Sequence, residues 1–214
     1  LARTLDLLGD RWIFLVIREL ALGPKRFKDL LDMLPAVGAN RLSDRLKTLE
    51  TSGAVQKRVL PPPASAAVYE LTARGLQLRG PLLGLARWGL ELNFDERIDP
   101  ATTRAELVAL CMTGASPSAA SEGLHEIYEF RVENETFHIS IDDGDFLVRS
   151  GPSPSQPTVA VECDLRTFCE LAYRIVTPSR ALRQGSAKIS SGSRSAFTRV
   201  FAILAFESGL PVLP

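Results

Sequence analysis

The chain has 214 residues, 45% of them hydrophobic, with 25 Lys/Arg against 25 Asp/Glu, enough for one large or two small globular domains. The zero net charge hides a division: residues 1–92 carry 14 Lys/Arg against 9 Asp/Glu, and residues 93–214 carry 11 against 16. A basic half beside an acidic one fits a nucleic-acid module joined to a part that does not touch phosphate. Three cysteines, Cys111, Cys163 and Cys169, are odd in number and lack metal-ligand spacing, which argues against a disulfide framework or a zinc site and for a reducing, cytoplasmic setting. The apolar run Trp12 to Ile17 is closed by Arg18-Glu19 and is too short to cross a bilayer, so neither a membrane span nor a signal peptide is expected. The sequence opens on Leu1 rather than Met, so a few native residues are expected to precede it.

Ala2 to Leu8 reads as a short amphipathic helix. Asp10 then caps a second helix in which Trp12, Ile13, Leu15, Val16, Ile17 and Leu20 surround nearly the whole circumference, so it is expected to be buried. Gly23-Pro24 ends it, and Lys25, Arg26 and Lys28 open the next segment with positive charge. In Phe27 to Leu34 the apolar residues Phe27, Leu30, Leu31 and Leu34 fall on one stripe, and Pro35 and Gly38 stop that helix. A further helix from Ala39 sets Leu42, Leu46 and Leu49 on one face and Asn40, Arg41, Ser43, Asp44, Arg45, Lys47 and Thr48 on the rest, with Gly53 at its end. Ala54 to Leu60 and Ala67 to Leu71 are β-prone runs about a proline-rich tip, a hairpin.

Helix, turn, helix and hairpin in that order make a winged helix. A major groove admits one helix and is read by side chains such as Arg and Asn near its N-terminal end, so Asn40, Arg41, Ser43 and Asp44 are the candidate base readers. Lys25, Lys28, Arg45, Lys47, Lys57 and Arg58 are the candidate phosphate contacts. A merely solvated polar face is the alternative for either set.

Thr72 caps the next helix, expected to run through Gly75 and Pro81 to about Asn93. Its Leu76, Leu83, Leu85, Trp88 and Leu92 exceed what a domain edge needs to bury, which points to a dimer partner or to packing of Trp88 on the second domain. The expected division is 1–93 for DNA binding and dimerisation, 94–103 as linker, and 104–214 as the second domain.

Residues 3 to 92 resemble the HxlR family of bacterial winged-helix regulators, relatives of the MarR type. The resemblance lies in Leu7-Leu8-Gly9-Asp10-Arg11-Trp12, Arg18-Glu19-Leu20, Gly23-Pro24-Lys25-Arg26-Phe27, Leu42 to Glu50, Tyr69-Glu70-Leu71-Thr72 with Gly75, and Ala86-Arg87-Trp88. It implies a homodimer on palindromic operator DNA, with Ala39–Ser52 in the major groove and Lys57–Tyr69 as wing. Family members often carry a sensor cysteine just before the first helix. This sequence has none there, so the resemblance does not carry thiol sensing over to it. The wing tip is also proline-rich and uncharged, which favours backbone contact over insertion into the minor groove.

After the linker, Ala105 to Met112 reads as a helix. Tyr128 to Glu133 and Phe137 to Ile141 alternate strictly and read as paired strands, with His138 on the polar face. Asp143-Gly144 turns into a third strand with Phe146 and Val148, and Val159, Val161 and Cys163 make a fourth. Asp142, Asp143 and Asp145 lack the closing bidentate carboxylate of a calcium loop and read as a turn. Leu165 to Val176 and Ser193 to Ser208 are closing helices, with Phe168 on the first and Phe197, Val200, Phe201 and Leu204 on the second.

This α+β arrangement, an antiparallel sheet covered by helices, is similar to the sterol-carrier-protein fold. The resemblance lies in Val161-Glu162-Cys163-Asp164-Leu165, the stretch Ala181 to Ser190 and the last apolar helix. It implies a cavity for a small apolar ligand, with Phe130, Phe137, Ile139, Ile141, Phe146, Phe168 and Phe201 as its expected lining. The same residues would equally make a solid core.

His125 and His138 are the only histidines and stand beside no nucleophile motif, and the chain has no Gly-rich phosphate loop, so no enzyme, cofactor or metal is expected. The expectation is a dimeric transcriptional regulator of double-stranded DNA, with an apolar effector in its second domain. Its alternative is a carrier of apolar ligands whose winged helix serves dimerisation only.

Overall fold

The computed structural model describes residues 2–63, 65–90, 103–114 and 121–204. It groups into two compact units, Leu1–Leu82 and Leu83–Pro214, each described by itself. The linker expected at 94–103 lies, but for Thr103, outside the described residues.

The first unit starts with α1 (Ala2–Leu8) and α2 (Arg11–Ala21). The Asp10 carboxylate accepts from the Trp12 amide at 2.7 Å and so occupies one of the orphan donors at the start of α2. Val16 and Ile17 are wholly buried, with Trp12, Ile13 and Leu20 nearly so, and this helix is the post around which the unit packs. Glu19 is buried too, and takes Arg18 Nη2 at 2.6 Å.

Next come α3 (Phe27–Met33) and α4 (Ala39–Thr51), with Leu42, Leu46 and Leu49 of α4 all within the same core. Gly38 precedes α4 at φ +71°, in the left-handed region that glycine tolerates. The wing is β1 (Val55–Val59) paired antiparallel with β2 (Ala67–Leu71), with Lys57 opposite Tyr69 and Arg58 opposite Val68. Lys25 and Tyr69 exchange backbone hydrogen bonds of 3.0 and 2.8 Å, which fastens the segment before α3 to the wing.

The helix expected from Thr72 to about Asn93 is two helices, α5 (Ala73–Leu76) and α6 (Arg79–Leu90). Pro81 explains the restart. It sits in the first turn of α6, where its missing N–H leaves no intrahelical bond unmade. The division between the units falls within α6.

In the second unit, α7 (Ala105–Met112) starts on the carboxylate of Glu135, which accepts from the Ala105 and Glu106 amides at 3.2 and 3.1 Å. The sheet contains β3 (His125–Val132), β4 (Glu135–Asp142), β5 (Asp145–Ser150), β6 (Val159–Cys163) and β7 (Ala187–Gly192). Their order is β5-β4-β3-β6-β7. Three pairings are antiparallel, but β3 and β6 run parallel, with Phe130 opposite Val161. The sheet is therefore mixed rather than antiparallel throughout: the chain returns through the 150–158 segment before laying β6 beside β3.

Three helices complete this unit: α8 (Leu165–Ala172), α9 (Pro178–Gln184) and α10 (Arg194–Leu204). The sequence reading extended α8 to Val176, but Tyr173 caps it and Arg174 follows at φ +58°. Residues 205–208, expected to continue α10, lie outside the described residues. Among the described residues, no helix is long and apolar enough to cross a membrane.

Candidate nucleic-acid interface

α4 carries the candidate site because one of its faces is fixed and the other is open. Its three leucines are almost fully buried, whereas Asn40, Arg41, Ser43, Asp44 and Lys47 are all exposed. Arg45, on the flank, reaches Asp10 with Nε at 2.9 Å and Nη2 at 2.7 Å. Burial pushes the Asp10 carboxyl upward. The Trp12 amide, the Arg45 hydrogen bond and the charges of Arg45 and Arg41 outweigh it, so the group ends below its ordinary value of 3.8.

Two shallow clefts flank the N-terminal part of α4. One, of about 530 Å³, is lined by Gly9, Asp10, Arg11, Trp12, Arg41 and Arg45. The other, of about 560 Å³, follows the turn Pro35 to Arg41. Arg11 holds its guanidinium over the Trp12 ring at 4.6 Å. Sequence reasoning passed over Arg11, and the Asp10-Arg11-Trp12 run that places it was visible only as a family motif.

The other candidate phosphate contacts are differently situated. Lys28 and Lys47 are exposed, but Lys25 is 6% exposed and belongs to the support beneath the wing. Lys57 stands with Nζ 5.7 Å from the centre of the Tyr69 ring. Arg58 is bound in two places by Glu70, through Nε and Nη2 at 2.9 Å each, and Gln56 also reaches Glu70 at 2.7 Å. The wing is held to the end of α4 by Thr72, whose hydroxyl donates to Gly53 O at 2.6 Å and accepts from the Gly75 amide at 3.1 Å. Gly75 is required there, since a Cβ would meet Ala54 O at 2.0 Å.

In the second unit, the seven residues expected to line a cavity are all buried, and four of them, Phe130 and Phe137 on the sheet and Phe168 and Phe201 on helices, form a connected set of ring contacts. Phe130 lies 5.5 Å from Phe137, 5.4 Å from Phe168 and 5.9 Å from Phe201, and Phe168 lies 6.0 Å from Phe201. Most of these contacts are edge-to-face, the arrangement that aromatic quadrupoles favour. An apolar ligand between sheet and helices would have to part these rings.

The same unit holds a polar group that the sequence pattern does not mark. Glu126 accepts from Arg199 Nε of α10 at 3.0 Å and also takes the Tyr128 hydroxyl. Burial and the Glu126 bond push the Tyr128 phenol well above its ordinary range.

His138 was expected on a wet face and is instead buried, its Nδ1 3.1 Å from Gly151 O. Glu129, opposite it on β3, is buried as well and accepts from the Ser153 amide at 2.9 Å and from Arg131 at 3.0 Å. The 151–157 segment thus returns over the face that alternation marked as polar. Burial pushes the Cys163 thiol up to about 12 and the Cys169 thiol up to about 11, so neither is a thiolate near neutrality.

The first unit is a helix-turn-helix with a hairpin wing and an exposed polar helix, the architecture of a winged-helix regulator, joined to a mixed-sheet α+β unit. Residues 7–96 match the HxlR-like helix-turn-helix family, and residues 107–204 match the SCP-2 sterol transfer family. The HTH-type transcriptional regulator YodB of Bacillus subtilis is 35% identical over 101 residues, 47% of this chain and 86% of YodB. YvaP of the same organism, described as an uncharacterized HTH-type transcriptional regulator, is 36% identical over 90 residues, 42% of this chain and 82% of YvaP. The solved reduced form of YodB is similar at 35% identity, covering 46% of this chain and 94% of that one, with a TM-score of 0.39. The chain belongs to the HxlR family of helix-turn-helix transcriptional regulators and carries a C-terminal SCP-2 domain.

Proposed function

We propose that the protein acts as a homodimer on palindromic operator DNA, each protomer laying α4 in a major groove, and that its SCP-2 domain takes a small apolar ligand that alters DNA affinity. The observation that carries the DNA half is α4 itself. Leucines fix one face in the core, while Asn40, Arg41, Ser43 and Asp44 leave the other with hydrogen-bonding groups at the end of the helix that enters a groove first. Lys28, Lys47, Lys57 and Arg58 serve as phosphate contacts, with Arg58 first exchanging Glu70 for phosphate.

Dimerisation has support in large apolar side chains left in solvent: Leu5 on α1 and Leu85 and Trp88 on α6, the last 61% exposed. Two recognition helices about one helical turn of DNA apart would read a palindrome. The ligand half draws support from the SCP-2 match, and the coupling it requires is reciprocal: a ligand that weakens DNA binding is itself bound more weakly by the DNA complex.

The test is selection of genomic fragments by the full chain at moderate salt, followed by binding of the best fragment to Arg41→Ala and Lys57→Ala. Recovery of a palindrome, relaxed base preference for Arg41→Ala and a shallower salt dependence for Lys57→Ala are expected. Enrichment of no fragment would leave the carrier reading, in which the winged helix only pairs protomers.

A further inference from the structure

The cleft between the start of α2 and the flank of α4 is a concentration of positive charge without a matching anion. Three guanidinium groups, Arg11, Arg41 and Arg45, line it with one carboxylate, Asp10. That carboxylate is already used, one oxygen by the Trp12 amide and the other by Arg45. Arg11 and Arg41 form no ion pair among the described residues.

We propose that this cleft binds a phosphodiester of the DNA backbone beside the groove that α4 enters, with Arg11 as its principal ligand and Nη1 of Arg45, the nitrogen that the Asp10 pair leaves over, as the second. Asp10 caps the first turn of α2, so the site is built from side chains rather than from the helix end. Arg11 is held in advance: its guanidinium rests on the ring of Trp12, a residue only 6% exposed and part of the core. A side chain already stacked loses less rotamer freedom on binding than a free one, and a guanidinium pairs with phosphate through two parallel N–H groups. Arg41 and Arg45 stand one turn apart on α4, so the cleft lies along the side of the helix; Asn40 and Asp44 do not line it, and Arg41 stands at the border between the cleft and the base-facing side. A helix seated in a groove has a sugar-phosphate strand along each flank, and this cleft occupies one of them.

The inference rests on the reading of α4 as the groove helix, and the experiment separates the two. The full chain is titrated with its best selected fragment and with a scrambled fragment across a range of salt, as wild type, Arg11→Ala and Arg11→Lys. Arg180→Ala, at an exposed position of α9, serves as the charge control. Loss of one phosphate contact per protomer should make the slope of log affinity against log salt shallower by ~0.9 per half-site. It should weaken both fragments by the same factor, roughly tenfold per half-site at 0.1 M salt. Arg11→Lys should recover most of the slope, since a point charge still releases counterions, and Arg180→Ala should not move it.

A wild-type complex whose slope is unmoved by Arg11→Ala overturns the assignment while leaving the regulator reading intact. So does a loss of affinity confined to the selected fragment, which would make Arg11 a base reader. If the slope is unmoved but inorganic phosphate at constant ionic strength quenches wild-type tryptophan emission and not that of Arg11→Ala, the cleft takes a free anion and the DNA assignment falls. Absence of any wild-type complex overturns both readings together.

Discussion

Arg45 and Asp10, 35 positions apart, meet at 2.7 Å and join α4 to the cap of the helix that supports it. The carboxylate does two jobs, holding the first turn of α2 and the flank of α4. Asp10→Ala removes both and should lower the stability of the N-terminal unit by about 1–2 kcal/mol, mostly as a lost cap because the ion pair is partly solvated. Asp10→Asn keeps an acceptor for the Trp12 amide and should cost less. Urea unfolding followed by tryptophan emission measures the difference. The pH dependence has a fixed sign. The folded pKa lies below 3.8, so the contribution is complete above that value and is lost as pH falls through the lowered one. Asp10→Ala should therefore flatten the acid limb of the stability curve below about pH 4.

The aromatic cluster gives a second expectation. Phe168 is wholly buried and touches Phe130, Phe137 and Phe201 at 5.4 to 6.0 Å. Phe168→Ala should cost about 3–5 kcal/mol in the C-terminal domain, since the surrounding rings close only part of the space. It should also open an apolar void, so an environment-sensitive apolar dye should bind the variant more tightly than wild type. Tight binding to the wild type at equal strength would mean that the rings already part for a ligand.

The winged helix was legible because each of its elements announces itself locally: the leucines at 42, 46 and 49, the glycines at 38 and 53, and the two short runs about the proline-rich tip. The mixed sheet was not. Strand direction is set by where the chain returns, and alternation within a strand says nothing of it. One signal was available in Val159-Ala160-Val161, an unbroken apolar run, which suits a strand with both neighbours paired and both faces covered better than an alternating edge. α9 also carries readable marks: Thr177 as cap, Pro178 in its first turn and Gly185 at φ +73° after its end. Glu126 and Arg199 gave no such mark, because their ion pair joins two elements, 73 positions apart, that only the fold brings together. The same holds for Arg45. Its residue type fits a phosphate contact, and nothing in its neighbourhood along the chain reveals Asp10.

At the wing, Glu70 holds Arg58 through two bonds of 2.9 Å and thereby withholds a cation from the surface that would face DNA. Arg58 is half-exposed and Glu70 only partly buried, so losing this ion pair in Glu70→Gln should lower thermal stability only slightly. It should raise DNA affinity and steepen the salt dependence by about one phosphate contact per protomer. Titration of the same fragment at several salt concentrations reads the effect, and an unchanged slope would place Arg58 away from the backbone.

Glu129 offers the clearest separation between charge and shape. Its buried carboxylate accepts from the Ser153 amide at 2.9 Å and from Arg131 at 3.0 Å, and so ties the 151–157 segment to the second face of the sheet. His138 on the neighbouring strand holds the same segment through Gly151 O. In Glu129→Ala the partly buried Ser153 amide loses its partner, a cost of about 1 kcal/mol. Glu129→Gln retains an acceptor for that amide but gives up the charge opposite Arg131, whose guanidinium is half-exposed, and should recover most of the loss. Hydrogen exchange distinguishes a local effect from a global one. In Glu129→Ala the Ser153 amide should lose protection before the β3 and β4 amides do, whereas equal loss at all of them would mean that the segment and the sheet open as one unit.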